Sequence, residues 1–188
     1  MTEAEKRVRR FTIIILGYPV ALILGGILLN LFAFGVSPIV VALPLKAVLV
    51  PLIITATLLV INHTWLMNST EITRMKHHMY ASREEWKEAG VKREDVSDEG
   101  WLELERRHNS HRNATENTVY FAVLATIFCL VTPSQLAAYV WILGFGVGRL
   151  GYTFASLQGR SNLRGFFMSV SLVAMYGMAG YLCLGLLV

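Results

Sequence analysis

Between Glu105 and Asn117 the chain reads Glu-Arg-Arg-His-Asn-Ser-His-Arg-Asn-Ala-Thr-Glu-Asn, a run of groups that bind anions and move protons. Asn109, Arg112, Asn113, Glu116 and Tyr120 recur at i, i+3, i+4 and i+7, so a helix displays them as one stripe. Arg149 and Arg74, with Arg164 at a nearby turn, can converge with this stripe on one cavity whose single acid is Glu116. Guanidinium forks take carboxylates bidentately, while a lone carboxylate and an Asn amide suit an ammonium and a peptide group. Such a set fits a small zwitterionic anion with two carboxylates and one amine. A plainer reading has Glu116 pairing with Arg112 and Arg149 only so that charges are tolerated in a membrane, and spacing does not choose between the two.

The elements that must position these groups are membrane helices. Over 188 residues the chain is 54% hydrophobic and 16% charged, with mean hydropathy +0.50, which excludes an ordinary soluble domain. The apolar stretch after the stripe, Thr118 to Val131, has only about 14 residues, whereas a span takes roughly 20. That helix must borrow length from its polar end, starting near Glu105, so Arg112, Asn113 and Glu116 lie at or below the inner interface. Ionisable groups at that depth face other helices and mark functional sites. The next helix, Gln135 to about Leu157, is again short of apolar residues before Arg149, which places Arg149 at similar depth with Tyr152 and Ser156 on its face.

Five spans follow. Lys6, Arg7, Arg9 and Arg10 precede an apolar run to about Phe34, and cations of this kind stay inside. A second span ends near Met67, with helix continuing through Glu71, Arg74 and Lys76. Residues 81–104 form the one extended polar loop, in which Ser82 to Glu85 is a capping box and Gly90 a helix stop. Arg164 opens the last span. Of 17 Lys and Arg, all but Lys46 fall on the inner side, as do all 13 acids. The fold class is therefore an all-α polytopic membrane helix bundle. Residues 1–40 form a tail and an extra N-terminal helix, and residues 41–188 a four-helix domain.

Other polar groups carry less. His108 and His111 lie one turn apart with His77 and His78 nearby, yet no metal-binding motif accompanies them, and no metal site is expected. Cys129 and Cys183 are read as packing thiols in helix interiors. Gly144, Gly148 and Gly151 offer a face for close helix contact, or relieve a bend. The sequons at Asn62, Asn68 and Asn113 fall where no glycosylation is expected. No nucleic-acid partner is expected either.

The stripe resembles the helix-two motif of the MAPEG family, the membrane-associated proteins in eicosanoid and glutathione metabolism, and is most similar to the microsomal glutathione transferase and prostaglandin E synthase branch. The family form Glu-Arg-x-x-Arg-Ala-His-x-Asn-Asp-x-Glu-Asn reads here as Glu105-Arg106, then Asn109-Ser110-His111-Arg112-Asn113-Ala114-Thr115-Glu116-Asn117. Arg74 after the preceding span, Arg149-x-x-Tyr152 on the next, and the turn from Gln158 through Arg160 to Arg164 extend the likeness over about Leu45 to Val188. Asn109, Ala114 and Ser156 depart from the usual Arg, Asp and Tyr.

The resemblance implies a MAPEG-like four-helix core and a homotrimer binding glutathione between subunits near the cytoplasmic face of a bacterial inner membrane or endoplasmic reticulum. Arg74, Arg112, Asn113 and Glu116 would hold glutathione, Arg149 and Tyr152 would line the site, and Arg164 would stabilise the thiolate. The implied activity is a transferase or peroxidase using the glutathione thiolate on lipophilic electrophiles or lipid hydroperoxides drawn from membrane lipid. The alternative is a non-catalytic lipid-binding or scaffold member. A small transporter is disfavoured because the chain shows no inverted repeat.

Overall fold

A computed structural model describes residues 3–188, with side chains from residue 5. Its main helices are α1 (Glu3–Leu29, prolonged by a wide π turn over Asn30–Phe34), α2 (Lys46–Lys76), α3 (Arg83–Ala89), α4 (Asp98–Leu130), α5 (Gln135–Leu157) and α6 (Ser161–Gly185). By length and composition α1, α2, α5 and α6 are apolar enough to cross a membrane. With 33 residues α4 is also long enough, but its first half is charged, as the short apolar stretch required. It lies in the bundle against α2, α5 and α6. The chain is an all-α integral membrane protein.

Chain direction alternates, so the charged ends of all five long helices gather at one end of the bundle. At the other end the backbone ties itself together: Ile39 N–H donates to Gly185, Ala42 N–H to Leu130, and Ser134 N–H to the Tyr181 hydroxyl. Between the ends runs a core of Phe121, Phe128, Ile142, Phe145, Met178 and Tyr181, in which the Phe121 and Phe145 rings stack 4.0 Å apart. Cys129 belongs to this core, whereas Cys183 is exposed rather than packed inside. Gly144, Gly148 and Gly151 of α5 face α6 of the same chain: a Cβ on Gly148 would sit 2.8 Å from the Ser171 nitrogen, so only glycine permits this approach.

The extra helix α1 docks on α6. Its anchor is Asn30, fully buried, which donates from Nδ2 to the Gly177 carbonyl at 2.7 Å and accepts at Oδ1 from Trp141 Nε1 at 2.8 Å. Nearer the charged end Tyr18 shares a hydrogen bond with Ser169 at 2.7 Å.

Loop 81–104 is smaller than expected, because Ser97 caps α4 by accepting the Gly100 N–H and Asp98 and Glu99 favour its positive end. The helix thus begins at Asp98 rather than near Glu105. Before it, the Ser82 and Glu85 capping box opens α3, and Gly90 closes it in the left-handed region. A small core of Met79, Trp86, Val96 and Leu104 holds this segment over the bundle. Glu103 clamps α4 to the end of α2, reaching Arg107 at 2.7 Å, His77 at 3.2 Å and Lys76 at 3.3 Å. Burial pushes its carboxyl up, but the hydrogen bonds with His77 and Lys76 and the charges of Arg107 and Lys76 outweigh that and hold its pKa below the usual value.

Candidate functional site

Three flanks of α4 follow from its pitch of about 100° per residue. Ser110, Ala114 and Phe121 are buried and define the core side. Asn113 sits at the edge of that side, while Arg112 lies roughly opposite it. The stripe expected as one surface is thus divided by the phase of the helix. Asn113 turns inward, and Arg112, Glu116 and Tyr120 remain exposed. Arg112 donates to Asn109 Oδ1 at 2.8 Å, and among the described residues Glu116 forms no ion pair with Arg112 or Arg149.

Arg149 is the most enclosed ionisable group of the site, with no exposed surface. Its Nη2 donates to Asn113 Oδ1 at 2.8 Å, Nη1 points to Met168 Sδ at 3.7 Å, and the guanidinium lies 4.6 Å from the Tyr152 ring centroid. All three neighbours are neutral, and Nε is buried without a partner. A buried cation retained without a carboxylate loses hydration worth several kcal/mol, and among the described residues none pairs a carboxylate with this guanidinium.

One turn toward the charged end, a cavity of about 360 Å³ opens between α4, α5 and the start of α6. Tyr152, Ser156 and Arg164 wall one side, and Glu105, Arg106 and Asn109 the other. Ser110 and Ser156 share a hydrogen bond that pins α4 to α5 at its floor. Arg164 also borders an adjoining cavity of about 210 Å³ together with Arg106 and Arg160. Three guanidiniums therefore surround this mouth. Arg160 additionally lies over the Phe154 ring at 5.8 Å.

Arg74 is not in that cavity. It pairs with Glu71, approaches His108 Nε2 at 3.4 Å, and lines a separate space of about 380 Å³ with Tyr80, Arg93 and Trp101. The two spaces share Glu105 and Asn109 as a common wall. The single chain thus brings Arg149 to Asn113 and Tyr152, and Arg164 to Tyr152, while Arg74 stands on the far side of α4 and Arg112 and Glu116 face outward. Arg106 is the lining residue that sequence reasoning passed over, although it stands three residues before Asn109 on the same flank. No group of three or more His, Cys, Asp or Glu among the described residues is placed to hold a metal ion.

A polytopic helical bundle whose uncompensated arginine and arginine-lined cavity lie at the charged end defines a membrane protein built around a polar intramembrane site. The MAPEG family model matches residues 52–184, which is most of the chain and includes every residue of the site, and the protein belongs to that family. A search of curated proteins finds no match. The matched region starts within α2 and leaves α1 outside it.

Proposed function

We propose that the protein is a membrane-bound glutathione transferase acting on lipophilic electrophiles, with lipid hydroperoxides as a second class of acceptor. Family membership supports glutathione or eicosanoid chemistry in general. The observation that carries the finer reading is Arg149, buried without an acid beside a cavity already bordered by Arg106 and Arg164. Glutathione has two carboxylates for such guanidiniums and one ammonium, for which α4 offers Glu105 in the cavity wall and Glu116 further along the helix. Its groups would run from the cavity past Asn109 toward Arg112 and Glu116, with Arg74 reached around α4. Because Arg112 and Glu116 are exposed, the outer wall would come from a second copy, and a homotrimer with the charged end on the cytoplasmic side is the assembly we infer.

In this reading Arg164 sits beside the thiol. A cation there favours thiolate, and the proton leaves to water through the open mouth. The sulfur then attacks an electrophilic carbon, the S–C bond forms, and the leaving group departs with its electron pair. With a hydroperoxide the sulfur attacks the distal oxygen, the O–O bond breaks, and the departing alkoxide takes a proton from water at the mouth and leaves as the alcohol. A second glutathione converts the resulting sulfenic acid to disulfide and water. Titration calorimetry with glutathione, followed by turnover of an aryl chloride, tests the proposal: saturable binding with conjugation supports it. Binding without conjugation would move the protein to the non-catalytic alternative, and absence of both would remove glutathione from the site.

A further inference from the structure

Helix α1 lies outside the matched family region, and its first half also stands clear of the bundle. From Glu5 to Gly17 every residue is exposed, Tyr18 ties the helix to Ser169 of α6, and beyond Pro19 a flank is buried there at Gly26 and Asn30. At the exposed end Lys6, Arg7, Arg10, Phe11 and Ile14 border a space of about 500 Å³ on one side of α1, a volume within the range of ordinary ligand sites. Arg9 falls on another side of the helix. The guanidinium of Arg7 lies 5.7 Å from the centroid of Phe11, the first ring of the apolar run. At about 1.5 Å per residue, Arg10 stands about 1.5 Å and Arg7 about 6 Å along the axis from Phe11. The headgroup layer of a bilayer is roughly 5–7 Å thick on each side, so both cations lie at the depth of the lipid phosphates. Two acids, Glu3 and Glu5, precede the four cations, and the segment keeps a net positive charge.

Beyond the cations the same flank continues through Ile14, Gly17, Ala21 and Gly25, each three or four residues from the last. A Cβ added at Gly17 or Gly25 would meet nothing within 4 Å, so no part of the described chain fills this lane. Small residues at that spacing also admit a second helix. Copies in one membrane run parallel, however, and meeting on this flank would set Arg7 and Arg10 of each copy close to those of the other, where like charges repel. A phosphate has the opposite preference, because guanidinium forks match its oxygens and cations beside a membrane helix attract anionic headgroups. Charge thus selects a lipid over a second copy.

We propose that this flank of α1 is a binding site for one anionic phospholipid of the leaflet at the charged end. Arg7 and Arg10 take its phosphate, with Lys6 beside them, and one acyl chain passes Ile14 and lies in the lane over Gly17 and Ala21. The site is built from α1 alone, so it stands whether or not the arginine-lined cavity takes glutathione.

The test uses the full chain in nanodiscs of equal parts phosphatidylglycerol and phosphatidylcholine with matched acyl chains, and native mass spectrometry counts the lipids that leave with the protein. Phosphatidylglycerol should be retained about tenfold over phosphatidylcholine. Arg10→Gln should lower that preference by about fivefold, whereas Arg9→Gln, which removes the same charge from another side of the helix, should leave it unchanged. Ala21→Trp keeps every charge but fills the lane, and should also lower retention. These positions are exposed, so thermal midpoint and elution should match the parent in all three variants. Equal losses from Arg9→Gln and Arg10→Gln would overturn the proposal, since they would mean diffuse attraction to a basic segment. Equal retention of the two lipids by the parent would overturn it as well. So would a disulfide between two Ala21→Cys copies in the nanodisc, which would show a second copy in the lane.

Discussion

On the core edge of α4, Asn113 accepts from a buried arginine, Ser110 is bonded to Ser156, and the ring of Tyr152 covers the guanidinium. Part of a turn away, Arg112, Glu116 and Tyr120 project outward, and of these Arg112 finds a partner only on its own helix. The first flank is preorganised by helices that the chain itself supplies. On the second, the groups await something from outside. One helix thus carries a finished half-site and an open half-site. In the reading proposed above, a ligand, a second copy, or both bring the charges that complete it.

Breaking the finished half should have the largest effect. Arg149→Met keeps most of the side-chain volume while removing the uncompensated charge, and hydrogen bonds to charged groups are worth about 1.5–3 kcal/mol. Calorimetry should therefore show glutathione binding weakened by about 100-fold, since every 1.4 kcal/mol is tenfold, in a protein that still elutes as the native assembly. Undiminished affinity would make Arg149 a structural cation and separate it from the ligand.

The open half should respond to Glu116→Gln with a loss of about tenfold in affinity and no change in thermal midpoint, because Glu116 has no ion pair among the described residues to lose. A fall in thermal midpoint with unchanged affinity would instead make Glu116 a structural contact between copies.

Arg164→Ala sharpens the comparison at the cavity mouth. The apparent thiol pKa of bound glutathione should rise by about one unit, equivalent to about 1.4 kcal/mol. Turnover at neutral pH should fall and recover as pH rises. Arg160→Ala should do little. If Arg160→Ala or Arg149→Ala displaces the profile instead, the thiolate-stabilising role passes to that residue.

The smallest effect belongs to the clamp at the charged end. Glu103 has its carboxyl pKa held low in the folded chain, so its stabilisation is present above the ordinary carboxylate value of about 4.3 and is lost as pH falls through the depressed folded value. Glu103→Gln should cost up to about 1 kcal/mol at neutral pH, and thermal melts of variant and parent should converge below that folded value. A constant difference at all pH values would assign the clamp to packing rather than charge.

Periodicity and length carried much of this architecture into view from residue types alone. The short apolar run from Thr118 to Val131 announced a helix that is polar in its first half, and Ser82 with Glu85 announced the start of α3. Direction around the helix was less legible. Spacing groups Asn109, Arg112, Asn113, Glu116 and Tyr120 on one flank, but which edge turns inward depends on where α5 packs, so the expected convergence with Arg74 and Arg149 is divided between flanks. The early start of α4 comes from Ser97, whose cap stands well before the apolar run that marks the helix in the sequence. Asn30 escaped notice for a different reason: its partners lie 111 and 147 residues away, and no local pattern marks a contact of that range. The same holds for His63, whose partner His111 lies 48 residues away.

In the proposed reading the arginines of this site hold glutathione as a thiolate. Purified full-length protein in mild detergent, mixed with glutathione at neutral pH, should develop the ultraviolet absorbance of a bound thiolate with saturable dependence on glutathione. The signal should be largely lost in Arg164→Ala at the same pH and restored by raising it. Saturable glutathione binding without any thiolate absorbance, at neutral or raised pH, would contradict the claim and leave a protein that keeps the fold and the anion site without activating the thiol.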